Sequence, residues 1–153
     1  MVFGIDIDDT LTDLFNEKVK YVNSYLKARN LKYKLVDTTT DDLYHMYNWP
    51  EGICNDFWIN NMETVVKNIK PRPNAVKVVN AIKAAGHKVI IITARSDTKF
   101  KDPYSLTLNW FKENKIEFDE ILVNRESKVE AIVDNKIGVF IDDKPTIMDP
   151  MTK

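Results

Sequence analysis

Apolar residues recur along this chain in two rhythms. Val2 to Ile7 and Val89 to Ile92 are short, almost continuous apolar runs, the pattern of strands buried on both faces, and the first is interrupted by Gly4. Phe15, Val19, Val22 and Leu26 instead return every three or four residues, which predicts one face of an amphipathic helix from about Phe15 to Lys27. Capping patterns at Thr38 to Asp42 precede Leu43 and Met46, and Pro50 suits the first turn of a helix carrying Phe57, Met62, Val65, Val66 and Ile69. Pro71-Arg72-Pro73 breaks that run.

Beyond the break, helix and strand alternate. A helix over about 74–85 ends at Gly86 and leads into Val89 to Ile92, and Asp102-Pro103 can start another through Leu108 and Phe111. Short strands at Glu120 to Val123 and Ile137 to Ile141 flank a short helix from Lys128 to Val133. This alternation predicts an α/β fold of three layers, Rossmann-like, with a central parallel sheet. Residues 13–70 then form a small helical cap inserted after the first strand, and residues 1–12 with 71–153 form the core. Tyr44, Trp49, Phe57 and Trp58 make the cap a candidate ligand lid, although aromatic residues in so short a module commonly form its own core.

Composition narrows the function without deciding it. The 22 Lys and Arg against 23 Asp and Glu leave a net charge of −1, which argues against a nucleic-acid polymer or an acidic membrane surface as partner. Cys54 is the sole cysteine, expected as a buried small hydrophobe, so neither an intrachain disulfide nor a thiolate zinc cluster is available. His45 and His87 lack a zinc-ligand pattern, and Gly4 stands outside any glycine-rich dinucleotide loop. With no signal peptide or transmembrane run, the expectation is a soluble, cytoplasmic protein, its oligomeric state left open, a homo-oligomer included.

Chemistry gathers where the strands end. Asp6-Ile7-Asp8 follows the first strand, Thr93-Ala94-Arg95-Ser96 follows Ile92, and Asp142-Asp143 follows Ile141. Open α/β sheets bind ligands beyond the carboxyl ends of their strands, so these clusters can converge on one crevice. If the backbone stays extended, Asp6 and Asp8 point to the same side. Crowded carboxylates need a counter-charge, and Mg²⁺ suits an all-oxygen donor set that also holds a phosphate. One carboxylate can attack phosphorus while a second protonates the leaving alkoxide and later activates water.

The run Asp6-Ile7-Asp8-Asp9-Thr10-Leu11-Thr12 resembles the first motif of the haloacid dehalogenase superfamily. Thr93 resembles the second motif, Lys128 the third-motif lysine, and Phe140-Ile141-Asp142-Asp143 the acidic fourth motif. The resemblance implies that Asp6 is the nucleophile of an aspartyl-phosphate step and Asp8 the general acid and base. Thr10 would stabilise the motif loop and belong with Thr93 and Lys128 to the substrate-binding residues, the latter two holding the phosphoryl group. It also implies Mg²⁺ held by Asp6, the backbone carbonyl of Asp8 and Asp142, with Asp143 supporting. Lys136, just before the last strand, is expected to face solvent. Arg95 could contact substrate or form an exposed ion pair.

Within the superfamily, the short cap and the Phe-Ile-Asp-Asp-Lys-Pro sequence look similar to the cytosolic C-type 5′-nucleotidases of the deoxy (pyrimidine) class, although Thr-Ala-Arg stands where Thr-Ser-Pro is expected. The implied activity is Mg²⁺-dependent hydrolysis of a small phosphorylated substrate, a 5′-nucleotide or deoxynucleotide. The competing readings are a sugar-phosphate or other small-metabolite phosphatase, a phosphotransferase, and a noncatalytic phosphate-ligand binding protein.

Overall fold

A computed structural model of the chain describes residues 1–145. The proposed core segment 71–153 therefore ends with eight residues, 146–153, that lie outside the described residues. The chain divides into two compact units, Met1–Asp13 with Lys70 onward, and Leu14–Ile69.

The first unit is built on four parallel strands, β1 (Val2–Ile5), β2 (Lys88–Ile92), β3 (Glu120–Leu122) and β4 (Val139–Ile141), in the order β3-β2-β1-β4. The central strands are the most apolar in sequence, and Val89, Ile90, Ile91 and Ile92 are fully buried, as a parallel sheet covered on both faces requires. Helix α4 (Ala75–Ala84) packs on β2, and α5 (Pro103–Glu113) packs on β3. Ala131 and Ile132 of α6 (Val129–Asp134) join Ile90 and Ile92 in one apolar cluster, edged by Val2, Leu122, Ile137 and Phe140.

Local chemistry sets the helix ends. Asp102 accepts a hydrogen bond from Ser105 N at 2.9 Å, and Pro103 supplies the fixed φ of the first turn of α5. Gly86, at φ 82°, ends α4 in the left-handed region open to glycine. The strands are shorter than the apolar runs suggest. β1 stops at Ile5 because Ile7 O accepts from Thr10 N, Leu11 N and Thr12 N at 2.8–3.1 Å, curling the chain into a turn. β4 begins at Val139 because Lys136, at φ 51°, and the Gly138 N to Val2 O bond still belong to the approach to the sheet.

The second unit contains α1 (Leu14–Ala28), α2 (Leu43–Tyr47) and α3 (Glu51–Asn68). Asp42 caps α2 through Tyr44 N at 3.0 Å, while Pro50 stands one residue ahead of α3 as its cap. Its centre is aromatic: the ring of Phe57 lies edge-on to Tyr25 at 5.3 Å, and Trp49 packs 5.1 Å from Tyr47 and 5.9 Å from Phe57. Trp49 and Phe57 thus form the core of this unit, Trp58 is half-buried and Tyr44 is exposed. Cys54 is buried and unbridged. Among the described residues, no helix is long and apolar enough to cross a membrane.

Candidate active site

The strand order reverses at β1, which has β2 on one side and β4 on the other. Asp6 leaves β1 there with its N–H donating to Ile141 O at 3.0 Å, so the sheet ladder carries Asp6 and Asp142 to adjacent positions at the switch point. Thr93 leaves β2 in the same way, its N–H donating to Leu122 O at 3.0 Å.

Lys128 is the electrostatic centre of this group. It precedes α6 and is almost wholly buried, with Nζ 2.7 Å from Asp6 Oδ1 and 2.5 Å from Asp142 Oδ2. Lys136 is exposed, as the sequence suggests. Burial pushes the Asp6 carboxyl up to about 7, opposed by the charge and hydrogen bond of Lys128 and assisted by the neighbouring charges of Asp8 and Asp142. Burial, and next the charge of Asp142, raise the Asp143 carboxyl as well. The site is thus crowded with negative charge that one lysine only partly offsets.

Asp6, Asp142 and Asp143 each place a carboxylate oxygen within 4.8 Å of the others. A donor set made of hard oxygens, short of cationic charge, fits Mg²⁺. Thr10 Oγ1 stands 3.4 Å from Asp6 Oδ2 and 3.5 Å from Asp143 Oδ1, linking the first loop to this cluster. Asp9, at φ 62°, shapes the loop, and Arg72 Nη2 donates to its carbonyl at 3.1 Å.

Asp8 has a cation of its own. The chain leaves extended geometry after Ile7, and the Asp8 carboxylate meets Arg95 through bonds of 3.0 Å from Nε and 2.7 Å from Nη2. This pair is not the exposed ion pair anticipated as one alternative, because the Arg95 side chain is 1% exposed. Thr93 is buried beside it, its Oγ1 accepting from Arg95 N at 3.3 Å. Asn124 and Thr107 join this group without having been singled out in the sequence. Asn124 pairs with Asp97 on the adjacent loop, and Thr107 accepts from Arg95 Nη1 at 3.4 Å. The only advance signal for Thr107 is a hydroxyl on the apolar stripe of α5, beside Trp110 and Phe111.

A haloacid dehalogenase-like hydrolase from Streptococcus pneumoniae superposes over 96% of this chain and 77% of its own, with a TM-score of 0.63 at 14% identity. The fold is that of the haloacid dehalogenase-like hydrolases. A hydrolase of the same fold from Bacillus subtilis, solved bound to magnesium, covers 82% of this chain and 66% of its own at TM-score 0.53 and 9% identity. No protein-family model matches the chain. Among curated relatives, a Bacillus cereus protein provisionally named a nucleotidase is 25% identical over 99% of this chain and 80% of its own length. Another so named, from Halalkalibacterium halodurans, is 29% identical over 93% of this chain and 69% of its own. Asp6, Thr93 and Asp142 follow β1, β2 and β4, and Lys128 stands immediately ahead of α6.

Proposed function

We propose that this chain is a Mg²⁺-dependent phosphomonoesterase, cytoplasmic, which hydrolyses a small phosphorylated metabolite through an aspartyl phosphate on Asp6. The observation that carries this reading is the buried Asp6 carboxylate sharing Lys128 with Asp142 at the switch point of a haloacid dehalogenase fold. Asp6 attacks phosphorus as the bond from phosphorus to the leaving oxygen breaks, and Asp8 gives that oxygen its proton. Asp8, now a carboxylate, then takes a proton from water as the water oxygen attacks the same phosphorus, releasing phosphate and restoring Asp6. Lys128 and Thr93 hold phosphoryl oxygens, the lysine supplying charge already fixed in place before reaction. Asp6, Asp142, Asp143 and the Asp8 carbonyl would hold Mg²⁺, whose charge, when bound, offsets that of the carboxylates and the phosphoryl group.

The substrate class favoured is a 5′-nucleotide or deoxynucleotide, supported by two relatives provisionally named nucleotidases. Phosphate release measured across deoxyribonucleotides, ribonucleotides and sugar phosphates tests both levels of the reading. Turnover that requires Mg²⁺, stops with chelator and is lost in Asp6→Asn supports the phosphatase, and unchanged turnover in Asp6→Asn refutes it. A panel led by sugar phosphates refutes the nucleotide preference alone.

A further inference from the structure

Two cations are buried among the acids of the site, and they serve different carboxylates. Lys128 lies between Asp6 and Asp142, whereas Arg95 grips both oxygens of Asp8. Two parallel N–H bonds from a planar guanidinium fix both the place and the rotation of a carboxylate, which a lysine cannot do. Arg95 is fixed in turn. Nη1 donates to Thr107 Oγ1 at 3.4 Å, Arg95 N donates to Thr93 Oγ1 at 3.3 Å, and Arg95 O accepts from Asn124 N at 2.8 Å. The Arg95 side chain is 1% exposed while that of Asp8 is 26% exposed, so the cation is enclosed and the acid is only partly covered. Nε and Nη2 are taken up by Asp8 and Nη1 by Thr107, so each guanidinium nitrogen already has a partner within the protein.

We infer that Arg95 is a positioning residue that holds the Asp8 carboxylate in the orientation required for proton transfer, with Thr107 on α5 holding Arg95 in turn. The inference rests on the phosphatase reading, which gives Asp8 its task. It assigns the arginine of Thr93-Ala94-Arg95 to the orientation of the acid and base and removes it from substrate recognition.

The test is a set of steady-state measurements on the full chain with its best phosphomonoester and Mg²⁺, comparing Arg95→Ala, Arg95→Lys and Thr107→Val in the wild-type and Asp8→Asn backgrounds. A misplaced catalytic group costs about 100-fold, so Arg95→Ala and Arg95→Lys are expected to lose about that much kcat with KM little changed. Residues acting as a unit are not additive, so in the Asp8→Asn background the same changes should alter kcat by less than about twofold. Added guanidinium ion should restore part of the kcat of Arg95→Ala and none of that of Asp8→Asn. Thr107→Val, close in shape, should show a smaller loss of kcat that also disappears with Asp8→Asn, and it carries the test if Arg95→Ala does not fold.

A raised KM with kcat kept would make Arg95 a substrate ligand and overturn the proposal. Equal losses in both backgrounds would show that Arg95 acts independently of Asp8 and overturn the proposal equally. Absence of turnover in the wild-type chain on every phosphomonoester overturns the phosphatase reading and this role with it, whereas wild-type turnover with additive losses overturns the role alone.

Discussion

Lys128 Nζ lies 2.7 Å from Asp6 Oδ1, and both side chains are almost wholly buried. Lys128 offsets Asp142 as well, so the lysine holds together two acids that would otherwise repel across the switch point. Removing one member of a buried pair leaves an uncompensated charge and costs about 3–5 kcal/mol. Lys128→Met should therefore lower the unfolding temperature sharply and abolish phosphate release. Mg²⁺ should raise the unfolding temperature of the variant more than that of the wild-type chain, because the cation then restores charge that the lysine no longer supplies. Thermal unfolding of both proteins with Mg²⁺ and with chelator checks this, and equal shifts would refute it.

The central position of Gly4 yields a packing prediction. A Cβ there would stand 2.8 Å from Phe140 Cδ2, 3.1 Å from Ile137 Cγ2 and 3.3 Å from Ile92 Cδ1, in the register where Gly4 pairs with Phe140. Overpacking of this kind costs about 1–3 kcal/mol. Gly4→Ala should destabilise the chain by that amount and also reduce kcat, because β1 carries Asp6 two residues later. Phe140→Leu combined with Gly4→Ala should cost less than the sum of the two single changes, which denaturant unfolding of the four proteins measures.

Why some of this was readable in the sequence and some was not follows from the range of each interaction. The run Val89 to Ile92 and the helical spacing of Phe15, Val19, Val22 and Leu26 are local patterns, and they announced β2 and α1 to within a few residues. Asp6, Thr93 and Asp142 were legible because each stands immediately after an apolar run, and strand ends are where such a sheet binds ligands. The pairing of Asp8 with Arg95 spans 87 positions, and the motif Thr93-Ala94-Arg95 gives no hint whether its arginine turns outward or inward. Ile7, whose carbonyl collects three N–H groups, ends the extended run and starts the turn that carries Asp8. Thr107 and Asn124 acquire their roles only through neighbours brought up by the sheet order.

A pH prediction follows from the pair at the start of β3. Lys83 Nζ bonds both oxygens of Asp119 at 2.7 Å, and Val89 N donates to Oδ2 at 2.6 Å. These bonds, the lysine first, hold the Asp119 carboxyl below its ordinary 3.8. The folded chain therefore releases this proton more readily than the unfolded chain, and the stabilisation is fully present above the unfolded value and is lost as pH falls through the folded one. At neutral pH, Asp119→Asn should cost about 1–2 kcal/mol, as expected for charge-assisted hydrogen bonds at a partly exposed site. The gap between wild type and variant in denaturant unfolding should narrow on acidification below about pH 4. A gap that stayed constant would show that the charge of Asp119 contributes nothing.

Asn124 supplies the prediction that tests how the loops are held. Its Oδ1 accepts from Asp97 N at 2.9 Å and its Nδ2 donates to Asp97 Oδ2 at 3.1 Å, while the following Arg125 N donates to Thr93 O at 3.0 Å. The loop after β3 thereby holds the loop that carries Thr93 and Arg95. Asn124 itself sits at φ 60°, where asparagine and glycine are tolerated and alanine is strained. Asn124→Gly removes only the side-chain bonds, whereas Asn124→Ala removes them and adds backbone strain of about 1 kcal/mol. Both variants should lose phosphate turnover by a similar factor, about three- to tenfold, since net hydrogen bonds of this kind are worth about 1 kcal/mol each. Only Asn124→Ala should show the additional loss of unfolding temperature. If Asn124→Gly retained full turnover, the tie between the two loops would have no part in positioning Thr93.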